Sequence, residues 1–278
     1  MAVSLPSLAI RALQVLAVLL LIYGALRFFE WKMLYFPRAE IEATPALLGL
    51  RFEDITFMAE DGVKLNGWWL PHERARGTVL HCHGNAGNLG HRVELAQRLH
   101  QLGVNVFLFD YRGYGQSAGW PSENGLARDA RAAYEFVRAQ YGDTEQPPLL
   151  LHGQSLGGAV AARLALEKQV RGVILESAFT SVPDMARQMY PGLPLHRLVS
   201  ARYDALASVG KLTAPKLIAH SPDDDMIPFE MGRRLFEQAA PPKRFIALAG
   251  GHNDGLWPAD YQQALREFVE QILGPAPK

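Results

Sequence analysis

A serine framed by glycines, in the segment Gly153–Gly157 (Gly-Gln-Ser-Leu-Gly), constrains this chain more than any other feature. The apolar run at 147–152 just before it predicts a buried strand, and the alanine-rich run at 156–167 after it predicts a helix. A G-x-S-x-G pattern between a strand and a helix predicts a sharp turn that holds the serine hydroxyl clear of the sheet. Ser155 is therefore the candidate nucleophile.

The same pattern occurs a second time, at Gly115–Gly119, so the pattern alone is a weak signal. Ser117 lies well beyond the apolar run 106–109 that predicts the preceding strand, and Trp120 and Pro121 follow without starting a helix. This context differs from the strand–turn–helix setting that a nucleophilic serine requires. We predict that the second copy is a surface loop.

Strand and helix patterns alternate along most of the chain, whose 278 residues suffice for one large domain. We predict strands at 51–58, 64–70, 78–81, 105–109, 147–152, 172–175, 215–219 and 244–248, and helices at 90–102, 123–141, 156–167, 229–239 and 261–273. Two leading strands followed by repeated β-α units favour an α/β fold with a mostly parallel central sheet flanked by helices. The segment 180–209 interrupts this rhythm, either as a small cap over the site or as an ordinary helical connection.

An apolar stretch near the N-terminus differs from the rest of the chain. As a helix, residues 8–29 would span roughly 33 Å, which is enough to cross the core of a bilayer. A signal peptide would need a small-residue cleavage site, which we do not find, and an amphipathic core helix would not be apolar on every face. We therefore predict a membrane anchor and interfacial segment at 1–37 and a catalytic domain at 38–278.

Charge limits the partners without fixing the orientation in the membrane. The 28 Lys and Arg residues balance the 28 Asp and Glu residues, and no basic aromatic patch is found, so we predict no nucleic-acid partner. Arg11 precedes the apolar stretch, whereas Arg27, Lys32 and Arg38 lie at its end or follow it. The positive-inside rule favours a cytoplasmic domain by this small margin, which leaves the side of the membrane open.

The histidines next to the only cysteine do not predict a metal site. His81 and His83 have an i, i+2 spacing, but no acidic residue or cysteine completes a ligand set with familiar spacing. Cys82 lies between them in a predicted strand, where side chains alternate, so it points the opposite way. We expect Cys82 to be a buried structural thiol.

A serine hydroxyl needs a base within hydrogen-bond reach, and the base needs an orienting carboxylate. Three histidines follow Ser155. His196 falls in the segment 180–209 and His220 ends a predicted strand, whereas His252 lies in a loop just past the last strand. His252 is our candidate base.

The carboxylate and the oxyanion donors are expected in loops after neighbouring strands. Three consecutive aspartates, at 223–225, follow the predicted strand 215–219, and the residues alone do not choose among them. Backbone N–H groups must bind the negative charge that develops on the carbonyl oxygen. Leu156, which follows the nucleophile, and Asn85, in a glycine-rich loop after an earlier strand, are the candidate donors.

Together these segments resemble the α/β-hydrolase superfamily and, more narrowly, a membrane-anchored branch related to serine aminopeptidase-like hydrolases, monoacylglycerol lipases and acyl-protein thioesterases. The resemblance covers about 52–273 and is carried by His83–Asn88, Asp110–Ser117, Gly153–Gly158 and Gly251–His252. It implies an α/β-hydrolase fold without a cofactor, and its H-G-x-x-D-x-x-V-P pattern, laid on 220–228, selects Asp224 as the acid. Members with N-terminal single-pass anchors imply a bacterial inner-membrane location.

The chemistry and the resemblance predict a serine hydrolase that acts through an acyl-enzyme on an ester or thioester. A membrane tether favours a lipid-like acyl group as the small-molecule substrate. An aminopeptidase or amidase with the same triad is the first alternative, with Glu176 as the candidate group for a free amine. A non-catalytic binding protein on the same fold is the second.

Overall fold

A computed structural model describes residues 5–142, 147–254 and 257–274, without the side chains of 5–8. It divides into two units, Met1–Phe36 and Pro37–Lys278. Helix α1 (Leu5–Leu34) makes up most of the first unit, and every residue from 9 to 25 is exposed. The stretch Ala9–Leu34 is long and apolar enough to cross a membrane, a property that a signal sequence can share. The apolar N-terminal helix is thus confirmed, whereas its place in a membrane stays a prediction.

The second unit alternates strands and helices as the sequence pattern predicts. Its helices are α2 (Val93–His100), α3 (Glu123–Ala139), α4 (Leu156–Glu167), α5 (Val182–Met189), α6 (Ala205–Val209), α7 (Phe229–Gln238) and α8 (Ala259–Leu273). The strands are β1 (Phe36–Pro37), β2 (Glu53–Met58), β3 (Lys64–Leu70), β4 (Thr78–Cys82), β5 (Ala86–Gly87), β6 (Asn105–Asp110), β7 (Leu149–Gln154), β8 (Gly172–Glu176), β9 (Lys216–His220) and β10 (Lys243–Ala247). Short 3-10 helices cover Pro45–Leu48, Leu89–Arg92 and Pro194–Arg197.

Eight strands form one sheet in the order β10-β9-β8-β7-β4-β6-β3-β2. The six strands from β10 to β6 run parallel to one another, and the β2–β3 hairpin joins them in antiparallel pairing. The carboxyl ends of the parallel strands therefore meet at one edge of the sheet. The loops after β4, β7, β9 and β10 all begin at this edge, which is where ligands bind in open α/β sheets.

The middle of the sheet is buried on both faces. Every residue of β4, β6 and β8 is buried, which explains why these strands appear in the sequence as continuous apolar runs without alternation. Pairing of β4 with β7 sets Leu80 opposite Leu151 and Cys82 opposite Gly153. This register brings the end of β4 beside the glycine that opens the serine turn.

One predicted helix begins later than expected. The pattern predicts a single helix at 90–102, but the structure begins with the 3-10 turn Leu89–Arg92 and only then continues as α2. Asn88 caps this turn, because its side chain accepts a hydrogen bond from the N–H of Gly90 at 3.0 Å. The turn places the side chains of 91 and 92 next to the loop that follows β4.

Candidate active site

The serine turn is a tight junction between β7 and α4. Ser155 has φ 54° and ψ −121°, a strained conformation that costs of order 1–3 kcal/mol and persists only where the surroundings impose it. A side chain at Gly157 would overlap the carbonyl oxygen of Cys82, and one at Gly153 would overlap that of Gly157. The flanking glycines are therefore required by the close approach of the first turn of α4 to the ends of β4 and β7.

Three predicted residues lie together although 97 positions separate the first from the last. His252 Nε2 lies 3.2 Å from Ser155 Oγ, and His252 Nδ1 lies 2.8 Å from Asp224 Oδ2. Ser155 and His252 are 6 % and 9 % exposed, so solvent screens these contacts little while leaving the site accessible. The three side chains project from the loops after β7, β9 and β10, at the same edge of the sheet.

The structure separates the three aspartates that the sequence leaves open. Asp224 alone bonds the imidazole of His252, whereas Asp225 Oδ1 accepts a hydrogen bond from the backbone N–H of His252 at 2.9 Å. Asp223 is held through its own backbone, whose N–H donates to Ser221 Oγ at 3.1 Å. Asp225 therefore supports the loop and Asp224 faces the ring, as the resemblance implies.

Asp224 is held as a carboxylate. Burial by itself would raise its pKa, but hydrogen bonds from His220 and His252 and from the N–H of Ile227 outweigh burial and hold the pKa well below its ordinary value. His220 Nε2 lies 3.4 Å from Asp224 Oδ2 and 2.9 Å from the carbonyl oxygen of Ile227. An ionised Asp224 can accept a hydrogen bond from the Nδ1–H of His252 and can stabilise a positive imidazolium.

The two candidate oxyanion donors belong to different segments, the start of α4 and the loop after β4. Leu156 is the first residue of α4, where backbone N–H groups have no partner within the helix. Asn85 lines the same cavity as Ser155. Tyr114 donates its hydroxyl hydrogen to the carbonyl of Asn85 at 2.7 Å, so the loop is fixed in place. The donor roles of Asn85 and Leu156 stay predictions.

His83 supports the loop that holds Asn85, a role that was not predicted although His83 begins one of the segments that carry the resemblance. Its Nδ1 donates to the carbonyl oxygen of Gly84 at 2.6 Å, and that carbonyl shares a peptide group with the N–H of Asn85. Burial lowers the pKa of His83 to about 3, so the ring is neutral. Its position directly before the Gly84 turn is the sequence signal that could have marked it as a positioning residue.

A cavity of about 230 Å³ opens onto the serine and the histidine. Its described walls are mostly polar and include Arg92, Arg98 and Glu176, while Trp257 contributes an apolar surface. None of the described lining residues comes from the segment 180–209, which holds α5, a 3-10 turn and α6. The idea that this segment covers the site therefore stays a prediction.

Glu176, the candidate amine-binding group, lies in this wall but is already engaged. Its carboxylate accepts hydrogen bonds from Tyr261 at 2.9 Å and from Trp257 at 3.4 Å, and it lies 3.3 Å from His152 Nε2. Burial alone would raise the pKa of Glu176, but these partners lower it. The carboxylate therefore holds a charge close to the cavity and ties β7, β8 and α8 together.

The predictions for Cys82 and Ser117 have different outcomes. Cys82 is buried as predicted, and burial raises the pKa of its thiol to about 12. Ser117 lies in a loop as predicted, but it is 7 % exposed, so the prediction of a surface position is wrong. Within the described ranges, no group of three or more His, Cys, Asp or Glu side chains is arranged to hold a metal.

Comparison with known proteins places this chain in a family. Residues 73–196 match the sequence profile of the family described as "Serine aminopeptidase, S33". The chain is 39 % identical over 251 residues to the Mycobacterium tuberculosis protein Rv2307c. This alignment covers 88 % of this chain and 89 % of that protein. It is 32 % identical to the Arabidopsis thaliana "Alpha/beta hydrolase domain-containing protein WAV2", with 82 % of each chain covered.

Solved structures agree on the fold. The Pyrococcus furiosus esterase Pf2001 superposes with a TM-score of 0.72 at 22 % identity, over 87 % of this chain and 98 % of the esterase. At this identity the likeness concerns the fold and not the substrate. The chain belongs to the α/β-hydrolase superfamily.

Proposed function

We propose that this α/β-hydrolase is a serine hydrolase that cleaves a carboxylic ester or thioester. One observation carries the proposal: a continuous line of hydrogen-bond contacts runs from Asp224 through His252 to Ser155, at 2.8 Å and 3.2 Å. A nucleophile, a base and an orienting carboxylate within this reach are what acyl transfer requires.

In the proposed reaction, Ser155 Oγ attacks the substrate carbonyl while His252 Nε2 takes the hydroxyl proton. Asp224 stabilises the imidazolium, and the N–H groups of Leu156 and Asn85 bind the oxyanion. His252 then delivers its proton to the leaving alcohol or thiol, which yields an acyl-enzyme. A water molecule, activated by the same histidine, releases the acid.

For the acyl portion we propose a lipid-like group, because the apolar helix α1 supports a single-pass membrane location. The cavity beside the nucleophile is small and mostly polar, so it suits the alcohol or thiol portion better than a long chain. A panel of p-nitrophenyl esters tests this proposal. We expect kcat/KM to rise with acyl length. A preference for acetyl esters would exclude the lipid-like acyl group as the substrate but would not contradict the hydrolase activity.

Labelling with a fluorophosphonate tests the hydrolase itself, since this reagent reacts with activated serines. The full-length protein should form one covalent adduct, which peptide mapping should locate at Ser155. Ser155→Ala should abolish the adduct and leave the far-ultraviolet circular dichroism unchanged. A folded protein that never labels would instead be a binding protein on this fold.

An aminopeptidase or amidase is the second candidate, because the matching family profile is described by that activity and Glu176 lies in the cavity. Three groups already approach the Glu176 carboxylate, which leaves it little capacity to bind an amine. Aminoacyl amides should therefore react much more slowly than esters of similar size. Faster turnover of the amides would favour the second candidate.

A further inference from the structure

Arg92 lies in the wall of the active-site cavity, in the turn before α2. Gly84 connects it to the nucleophile: a side-chain carbon placed on Gly84 would lie 3.9 Å from Arg92 Nη2 and 3.5 Å from Ser155 Cβ. A substrate whose carbonyl meets Ser155 would therefore bring atoms a few bonds away to the guanidinium. Distance alone makes Arg92 a candidate for substrate contact.

The guanidinium has unused hydrogen-bond donors. A guanidinium carries five N–H groups in a planar fork that matches a carboxylate or a phosphate. Nη2 donates to the carbonyl oxygen of Ala86 at 2.9 Å. Nε is shielded from solvent and has no hydrogen-bond partner in the described part of the chain. Nη1 has no hydrogen-bond partner among the described residues, so it can donate to an acceptor that a ligand supplies.

No acidic side chain of the described residues forms a close ion pair with Arg92, although the charges of Asp110 and Glu176 act on it from a greater distance. Among the described residues, no ion pair shorter than 4.0 Å includes Arg92, whereas Glu94 pairs with Arg98 at 3.8 Å. Glu176 has the three partners described above. Burial raises the pKa of the nearby Asp110 to about 8, so Asp110 is mostly uncharged at neutral pH.

We propose that Arg92 forms an anion-binding subsite and that the ester substrate carries a carboxylate or phosphate group a few bonds from the scissile carbonyl. The proposal rests on the proposed function, because it places this group relative to Ser155. The anion can belong to the acyl portion or to the alcohol portion, and the chemistry that Arg92 recognises is the same in both cases.

Binding to a catalytically silent protein tests the subsite. Full-length Ser155→Ala in detergent is titrated by calorimetry with monomethyl glutarate and with the methyl ester of glutaramic acid, which differ by a carboxylate in place of a carboxamide. The acetate esters of hydroxybenzoate and hydroxybenzamide place the same difference on the alcohol side. We expect the anionic member of at least one pair to bind about 10- to 100-fold more tightly.

Variants at two arginines locate the effect. Adding Arg92→Gln to Ser155→Ala should remove the preference for the anion, since glutamine carries no charge. Arg92→Lys should retain part of the preference. Arg98→Gln is the matched control, because Arg98 lines the same cavity but pairs with Glu94 and lies 5.6 Å from the Trp257 ring. It should change the preference by less than about threefold.

Equal binding of the charged and neutral esters in both pairs would overturn the subsite. A preference that survives Arg92→Gln, or that Arg98→Gln removes equally well, would also overturn it. Hydrolysis is read separately on the Ser155 protein with the same four esters. Failure to hydrolyse any of them, together with a failure to label, would overturn the proposed function and leave the binding result standing.

Discussion

The two G-x-S-x-G segments share a pattern and differ in everything that surrounds it. Ser155 joins a strand to a helix, and its hydroxyl faces an imidazole at 3.2 Å. Ser117 lies in the loop after β6, donates to the carbonyl oxygen of Asp110 at 2.7 Å and accepts from the N–H of Asn66 at 2.9 Å. Both serines are buried, so burial does not tell them apart.

The difference lies in the partners that each serine has. The hydroxyl of Ser117 satisfies two backbone groups that would otherwise be buried without a partner, so its role is structural. The hydroxyl of Ser155 has an imidazole as its partner, which is the arrangement that activates a nucleophile. A serine pattern therefore acquires a meaning only with its neighbours in space.

Replacement of each serine should give opposite results, and this is the largest effect we expect. Ser155→Ala should lower kcat by roughly four to six orders of magnitude with little change in stability. Ser117→Ala should leave kcat per folded molecule within about threefold but lower the free energy of unfolding by about 1–3 kcal/mol, because the N–H of Asn66 loses its acceptor. Ester hydrolysis and urea unfolding measure the two effects. Loss of turnover in a folded Ser117→Ala would break the comparison.

The next largest effect should come from Asp224, the carboxylate that contacts the imidazole of His252. Asp224→Asn should lower kcat by about 10⁴-fold while the protein stays folded, since an amide cannot hold the ring as a carboxylate does. Asp225→Asn is the control, because it keeps an acceptor for the backbone N–H of His252, and it should cost less than about tenfold. Steady-state kinetics on both variants decide the matter. Equal losses would mean that the aspartates share the role.

The glycines of the two segments should differ in how much a methyl group disturbs them. Gly157→Ala would collide with the backbone carbonyl of Cys82, and we expect a loss of about 3 kcal/mol or more. Gly119 has φ +85° with its nearest contact at 3.3 Å to Val63, so Gly119→Ala should cost about 1–2 kcal/mol. Urea unfolding followed by circular dichroism compares them. A milder effect at Gly157 would contradict the tight approach of α4 to β4.

The smallest effect should come from Asp110, whose backbone carbonyl accepts the hydrogen bond from Ser117. It should appear as a dependence of the free energy of unfolding on pH. Burial raises the pKa of Asp110 from 3.8 to about 8, so the folded protein binds a proton that the unfolded chain releases. The stability due to this proton is present below the unfolded pKa and is lost as pH rises through about 8. Relative to Asp110→Asn, the wild-type free energy of unfolding should fall by about 2 kcal/mol between about pH 6 and pH 8. A constant difference between the two proteins would contradict the raised pKa.

The sequence predicted the elements well because local pattern determines them. Helix α4 has the predicted bounds, and the other strands and helices of the sheet lie within a few residues of expectation. The chain order of Ser155, an aspartate and His252 also follows from the order of loops at one edge of the sheet. These are features that neighbouring residues or a known connectivity can encode.

Features that depend on contacts across the chain were not predictable in this way. The burial of Ser117 depends on Asn66, which lies 51 residues earlier. The residues alone left the choice of aspartate open, because a shift of one position decides whether a carboxylate meets the ring or the backbone of His252. The place of Arg92 in the cavity depends on how a 3-10 turn is set against the serine junction, which periodicity does not specify.

The position of His252 after β10, the last strand of the sheet, has a consequence during synthesis on the ribosome. A nascent chain that has emerged only as far as α7 already contains the serine and the aspartate but lacks the base, so it should be inert toward esters. Activity would then arise late, when the C-terminal strand docks. The onset of fluorophosphonate labelling in stalled chains of increasing length would time the completion of the domain.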